Sequence, residues 1–180
     1  MGKENTTRYI LLGFLYHEDM SGYDLKKRMD LSISHFWNAS FGQIYPALRE
    51  LLIEGLVEQR ECASEKGPSR LVYSITEQGK QALSGWLEAP EDKEYFRSEL
   101  LLKLFFSAGV SKGHSLARVE AFRARQETNL FLMQQFTAEL EPILEDSPDH
   151  RQYYLTALFG KYVYQAYVDW AKEAARLLKA

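Results

Sequence analysis

The basic side chains that could bind an anionic partner fall in two short clusters, Lys26-Lys27-Arg28 and Lys66 to Arg70. Lysines and arginines attract phosphate groups by charge, although a basic run is more often a solvated face. The net charge of −3 argues against a strong general affinity for nucleic acid, because strong DNA binders usually carry a basic surface. Any binding to DNA must therefore depend on these local clusters.

The residues that usually carry catalysis or bind metals do not form a recognisable motif. Cys62 is the only cysteine, which excludes an intramolecular disulfide and a cysteine-rich zinc site within one chain. His17, His35, His114 and His150 have no ligand-type partner at helical spacing. The sequence shows no glycine-rich phosphate loop and no nucleophile with a base and an orienting acid. We therefore expect no metal, no cofactor and no enzymatic activity.

A helix with one apolar and one polar face is predicted within residues 40–59. Its apolar side chains have the i, i+4, i+7 and i+8 spacing of a single face: Ile44, Leu48, Leu51 and Leu52. The opposite face carries small or polar residues: Gln43, Ala47, Glu50 and Glu54. Ser40 and Gln43 have capping-box spacing, which places the helix start between Ser40 and Pro46, and Gly55 suits a left-handed C-terminal residue. A helix with small and polar groups outward fits a groove.

Two shorter helices are predicted before it. A cap within residues 5–7 begins a mostly apolar helix that ends near His17. Residues 18–20 are expected to form a turn, and Ser21 then caps a second helix. That helix leaves Lys26 and Lys27 on its more exposed side.

A β-hairpin is predicted after the amphipathic helix, because the pattern changes to alternation over residues 56–61 and 71–75. The intervening residues 63–69 are too many for a two-residue turn. We expect the tip to project as a flexible loop that carries Lys66 and Arg70.

The second half of the chain is predicted to be helical, following a linker at residues 89–94. Two helices approach 30 residues, a length of roughly 40 to 45 Å, which is more than so small a domain covers by itself. A second subunit is the expected cover, and the alternative is a helical hairpin packed on its own first domain. The expected subunit contacts are Leu116, Val119, Leu130, Met133, Leu158 and Tyr162.

The order of helix, helix, helix, two-stranded wing and helix is that of a winged helix-turn-helix, and its residues resemble the PadR family of transcriptional regulators. The resemblance lies in TRYILLGFLYHEDMSGYDL (residues 7–25), FWNASFGQIYPALRELLIEGLV (36–57) and GPSRLVYSITEQGKQAL (67–83). The remainder begins WLEAPEDKEYFRSELLLKLFF (86–106) and is similar to the C-terminal dimerisation domain of the longer, virulence-activator-type subgroup.

This resemblance implies a mainly α fold with a small β-hairpin. Residues 1–88 would form a winged helix-turn-helix DNA-binding domain, and residues 89–180 an all-α dimerisation domain with two long helices. The implied function is that of a repressor which binds an inverted-repeat operator as a homodimer and is released by a small effector. The absence of a long apolar run and of an apolar N-terminal segment indicates a cytoplasmic protein.

The resemblance also implies which residues contact double-stranded operator DNA. Gln43 would face the groove and read a base edge. Tyr45 has a second interpretation, in which its ring packs on the first helix with the hydroxyl outward. The residues expected at the phosphates are Ser40, Tyr45, Lys26 and Lys27, and those expected at the backbone or the minor groove, from the wing, are Lys66 and Arg70.

An effector site and two other functional classes are also considered. Aromatic residues near the expected domain junction, Trp37, Trp86, Phe105 and Trp170, suggest a pocket for a small aromatic or apolar compound, although aromatic residues of this kind are more often core. The alternative function is a winged helix that makes only protein contacts, which the acidic charge balance favours. An enzyme is the third class, and no catalytic motif supports it.

Overall fold

Side-chain caps begin the second and third helices, whereas the first helix begins after Thr6, whose side chain makes no cap hydrogen bond. A computed structural model describes residues 6–64, 67–91, 96–109 and 111–180. Helix α1 spans Thr7–His17, α2 spans Gly22–Ser32 and α3 spans Phe41–Ile53. The predicted cap at Ser21 is confirmed, since its Oγ accepts the N–H of Asp24 at 3.2 Å. The predicted capping box at the start of α3 and the left-handed Gly55 after its end, with φ of 70°, are confirmed as well.

The two strands of the predicted hairpin form a three-stranded antiparallel sheet with one short strand that the sequence did not predict. Strand β1 spans Met20–Ser21, β2 spans Val57–Ser64 and β3 spans Gly67–Ile75, in the order β1-β3-β2. Met20 was expected in a turn, but it pairs with Tyr73 of β3. The expected loop at residues 63–69 was also wrong, because the strands continue to Ser64 and resume at Gly67.

The core of this first unit lies between the apolar faces of α1, α2 and α3, with the sheet and helix α4 against them. Helix α4 spans Glu77–Glu88 and is capped by Thr76, whose Oγ1 accepts the N–H of Gly79 at 3.1 Å. Ala47 was expected on the outer face of α3, but it is 0% exposed. A methyl group is small enough to be enclosed at the edge of the apolar stripe, so the buried face of α3 is wider than predicted. The fully or nearly fully buried core includes Leu11, Leu12, Leu25, Met29, Ile44, Leu48 and Leu51.

The chain folds into two compact units, residues 1–93 and 94–180. The second unit contains helices α5 (Glu99–Phe105), α6 (Lys112–Leu140) and α7 (Pro148–Lys179). Helices α6 and α7 pack side by side and antiparallel, since Lys179 Nζ near the end of α7 lies 3.2 Å from Glu120 Oε1 near the start of α6. The prediction of a mainly α fold with a small β element is confirmed.

The two long helices approach each other through small side chains. Helix α7 buries one face composed of Ala157, Gly160, Val168, Ala171 and Ala175. The opposite face of the same helix carries exposed apolar side chains, which we call the outer stripe of α7: Leu155, Phe159, Tyr162, Trp170 and Leu177.

This arrangement corrects part of the expected subunit contact. Val119, Leu130 and Met133 are buried within a single chain, at 0%, 9% and 4% exposure, so they stabilise their own unit instead of facing a partner. Leu116 is half-buried against Val119, and Leu158 is half-buried on α7. Of the six expected contacts, Tyr162 is exposed, at 68%. The sequence pattern could not separate an apolar face that covers a neighbouring helix from one that covers another chain.

Candidate nucleic-acid interface

The N-terminal end of α3 presents an exposed, uncharged surface. The backbone N–H of Ser40 donates to Gln43 Oε1 at 3.0 Å, and the Ser40 hydroxyl lies 3.3 Å from the same oxygen. Both side chains are exposed. The amide oxygen of Gln43 accepts from the cap, and its amide nitrogen keeps two N–H donors. Gln43 is thus prepared to donate to acceptor groups.

Tyr45 lies against the start of α2. A Cβ atom at Gly22 would stand 2.6 Å from Cε1 of the Tyr45 ring, so a larger residue at this position would displace the ring. The alternative in which Tyr45 packs on the first helix is replaced by packing on the second. Burial raises the pKa of the Tyr73 phenol, with a smaller contribution from nearby Tyr45, so Tyr73 remains a neutral hydroxyl at physiological pH.

The cationic side chains that were expected to bind phosphate differ in their exposure and in whether a carboxylate lies beside them. Lys26 is largely covered and pairs with Asp30 one turn later, which corrects its expected place on the exposed side. Arg70 Nη1 on β3 lies 3.8 Å from Asp24 Oδ2 on α2, with the Arg70 side chain 64% exposed. Lys27 is exposed. Lys66 lies outside the described residues.

A row of three exposed aromatic rings crosses from α2 to α3. The ring centroids of Tyr23 and Phe41 are 6.5 Å apart with a 12° interplanar angle, and those of Phe41 and Tyr45 are 6.1 Å apart with a 21° angle. Tyr23 and Phe41 were absent from the residues expected at the interface. The i, i+4 spacing of Phe41 and Tyr45 was visible in the sequence, but the addition of Tyr23 depends on how α2 and α3 meet.

The four aromatic residues expected at an effector pocket have different surroundings. Trp86 stacks on Tyr9, with ring centroids 4.9 Å apart and a 6° interplanar angle, and it packs against the first core. Trp37 is partly exposed, and Phe105 of α5 is largely exposed. Trp170 meets Phe122 edge to face at 5.7 Å. Trp86 therefore serves as packing, which removes it from the expected pocket.

A groove with a volume of about 230 Å³ lies between α5 and α6. It is lined by Glu99, Leu100, Lys103, Arg118, Ala121 and Arg125. Lys103 pairs with Glu99 at 2.6 Å. Arg118 and Arg125 form no ion pair with a carboxylate in the described part of the chain. The Arg125 guanidinium lies 5.9 Å from the centroid of the Phe122 ring, which joins this groove to the aromatic neighbours of Trp170.

The described residues contain neither a cluster of metal ligands nor a membrane-spanning helix. Within residues 6–64, 67–91, 96–109 and 111–180, no group of three histidine, cysteine, aspartate or glutamate side chains could hold a metal ion. None of the helices in these ranges is both long and apolar enough to cross a membrane.

Known families match both halves of the chain. Residues 11–85 match the transcriptional regulator PadR-like family, and residues 96–179 match the family described as virulence activator alpha C-term. The chain is 28% identical over 151 residues to the negative transcriptional regulator PadR of Bacillus subtilis strain 168, which covers 81% of this chain and 83% of the relative.

Solved structures agree over nearly the full length. Bacillus subtilis PadR in complex with operator DNA is similar with a TM-score of 0.80 and 26% identity, covering 95% of this chain and 98% of that one. The same regulator with p-coumaric acid gives a TM-score of 0.74 and 25% identity, covering 100% and 99%. The Vibrio cholerae virulence activator AphA gives 0.70 and 28%, covering 96% and 98%. The chain therefore carries a PadR-like domain in its first half and the virulence-activator type of C-terminal domain in its second half, and both are domains of transcriptional regulators, not of enzymes.

Proposed function

We propose that the protein is a cytoplasmic repressor that binds an inverted-repeat operator as a homodimer and is released by a small aromatic or apolar effector. Residues 1–88 hold the DNA, and residues 89–180 form the dimer. The main support is the exposed, capped N-terminal end of α3, where Gln43 and Tyr45 are both exposed on the helix that resembles a recognition helix. The complex of the Bacillus subtilis relative with operator DNA supports the same assignment.

The outer stripe of α7 supports the dimer. Large apolar side chains that stay exposed on one face of a long helix indicate a surface that another chain covers. Tyr162 and Phe159 are the most exposed members of the stripe, at 68% and 62%. A two-fold axis through this contact would place two α3 helices on inverted half-sites.

The DNA contacts divide into base readout and phosphate binding. Gln43 donates from its amide nitrogen to an acceptor at a base edge, because the capping box occupies its oxygen. Ser40 and Tyr45 bring hydroxyl groups to the backbone, and Lys27, Lys66 and Arg70 bring charge. Lys26 contributes less, since Asp30 neutralises it.

A salt titration of DNA affinity tests this division. Arg70→Ala, or Lys66→Ala, is expected to lower the slope of log affinity against log salt by about 0.9 per lost phosphate contact, and by twice that in a symmetric dimer. Arg151→Ala is the matched control, because Arg151 is an exposed cation on α7 that pairs with Glu145 at 2.7 Å. An unchanged slope for both wing variants would contradict the assignment.

Variants of Gln43 test the base contact separately. Gln43→Ala should leave the salt slope nearly intact and relax preference at one base position per half-site, by roughly 1 to 3 kcal/mol if two bonds are lost. Gln43→Glu keeps an acceptor for the Ser40 N–H but has no donor, so it should lose the same preference while the helix stays capped. Equal weakening on operator and scrambled duplexes would show that Gln43 does not read sequence.

The effector is proposed to bind in the groove between α5 and α6. Arg118 and Arg125 can hold a carboxylate, Leu100 and Ala121 give apolar contact, and the relative was crystallised with p-coumaric acid, an aromatic carboxylate. Titration with p-coumarate should change tryptophan fluorescence saturably and weaken operator binding. Arg118→Gln should reduce the effect, and Trp170→Phe should remove most of the fluorescence signal because Phe122 connects Trp170 to Arg125. No saturable change would refute this location.

The alternative function is a protein-interaction module without sequence-specific DNA binding. The net charge of −3 and the carboxylate partners of Lys26 and Arg70 favour it. An electrophoretic shift assay at low salt with random-sequence duplex separates the two, since a DNA-binding regulator should retain weak general affinity under those conditions.

A further inference from the structure

We propose that Phe41 determines sequence specificity by contacting the 5-methyl group of a thymine in the major groove. This inference rests on the proposed binding of operator DNA. It adds a residue that the resemblance did not place at the interface, and it specifies the chemical group that this residue recognises.

The position of Phe41 supports this role. Phe41 is the first residue of α3, directly after Ser40 and two residues before Gln43. The N-terminal residues of a recognition helix are the ones that contact base edges. A phenylalanine at this position that served only the core would be buried, but Phe41 is 43% exposed.

The aromatic row holds the Phe41 ring in place. Tyr23 stacks on one side of it and Tyr45 on the other, with centroids 6.5 and 6.1 Å away. The Tyr45 ring in turn lies against Gly22 at the start of α2. A ring between two others loses little freedom when it meets a ligand, so contact with DNA costs little side-chain entropy.

The chemistry of the row identifies the contact. Both outer rings carry hydroxyl groups that can donate to phosphate, whereas the central ring has none. In the major groove the thymine methyl is the apolar group that a phenylalanine can contact. Such an apolar contact would also supply affinity that does not depend on charge.

Replacement of thymine by deoxyuridine removes only the methyl group and therefore tests the proposal. Duplexes selected from a random pool by the full-length protein supply the operator, and each thymine is then replaced in turn. One position per half-site should weaken binding of the wild type by about fourfold, the effect of one buried methyl. Phe41→Ala should be insensitive to deoxyuridine at that position.

Two further variants separate the contact from general damage. Phe41→Leu keeps an apolar side chain and should retain part of the methyl sensitivity. Tyr23→Phe keeps the ring row, so it should retain the full sensitivity while weakening all duplexes alike. Wild-type protein that is indifferent to deoxyuridine at every position, or Phe41→Ala that keeps the loss, would overturn the role of Phe41 and leave DNA binding intact. Failure of the wild type to bind any duplex at low salt would overturn the proposed function itself.

Discussion

The two units of the chain differ in how completely each covers its own apolar surface. The first unit encloses a core of large side chains from α1, α2 and α3, such as Leu11, Leu25 and Leu48, all at 1% exposure or less. The second unit buries Leu130, Met133 and a cluster of Val119, Ala171 and Ala175, while the large apolar side chains of the outer stripe of α7 remain exposed. Small residues allow two helices to approach closely, but they bury little area. The first unit can therefore be stable by itself, whereas the second gains most from another chain.

Removal of a large core side chain from the first unit should have the largest effect. Leu48→Ala is expected to reduce the free energy of unfolding by about 2 to 5 kcal/mol, because it leaves a cavity that the surroundings fill only in part. Chemical denaturation in a Trp170→Phe background measures this, since fluorescence then reports Trp37 and Trp86 of the first unit. Ile53→Ala is the control at an 80% exposed position of α3, with an expected change within about 0.5 kcal/mol. Equal losses of stability in the two variants would show that burial does not determine how much each side chain contributes.

A charge on the outer stripe of α7 should separate the subunits without unfolding them. Phe159→Glu is expected to weaken the dimer by about 2 kcal/mol or more, roughly 30-fold in dissociation constant, because a central apolar contact is replaced by a buried carboxylate. Sedimentation at micromolar concentration measures the change, and circular dichroism verifies the helices. Gln134→Glu, at an exposed polar position of α6, should leave the dimer intact. A wild-type chain that is monomeric under these conditions would show that the second unit needs no partner.

Substitutions of two glycines in the first unit should have the smallest effects on its stability. Gly55 has a φ of 70°, so Gly55→Ala should destabilise this unit by about 1 kcal/mol through backbone strain. Gly85 lies within α4, where an added Cβ would meet nothing within 4 Å, and Gly85→Ala should stabilise by about 0.5 to 1 kcal/mol. Thermal denaturation of both variants shows whether each substitution lowers or raises the stability. Shifts in the same direction would mean that local backbone preference does not control this unit.

The features predicted correctly from the sequence are those that depend on neighbouring residues. The cap at Ser21 was predicted from its residue type and its place before a helical pattern, and its Oγ accepts the N–H of Asp24 three residues later. The capping box of Ser40 and Gln43 follows the same short-range rule. Such signals need no knowledge of the rest of the fold.

The features that the sequence did not reveal depend on contacts between distant residues. Strand β1 has two residues and exists because Met20 meets Tyr73, more than fifty positions later. The burial of Val119 depends on Ala171 and Ala175 of another helix. Tyr23 joins the aromatic row only because α2 and α3 cross there. Hydrophobic periodicity shows which face of a helix or strand is apolar. Only the tertiary structure shows which surface packs against that face.

The ion pair between Arg70 and Asp24 has a consequence for how the regulator searches a chromosome. Asp24 lies beside the wing arginine, and its carboxylate accepts a hydrogen bond from the Ser21 hydroxyl at 2.7 Å. In the DNA complex that we propose, a phosphate of any duplex, whatever its sequence, would compete with this carboxylate for Arg70. Such competition would lower the affinity for the vast excess of non-target sites, so that a larger share of the molecules would stay available for the few sites whose bases fit.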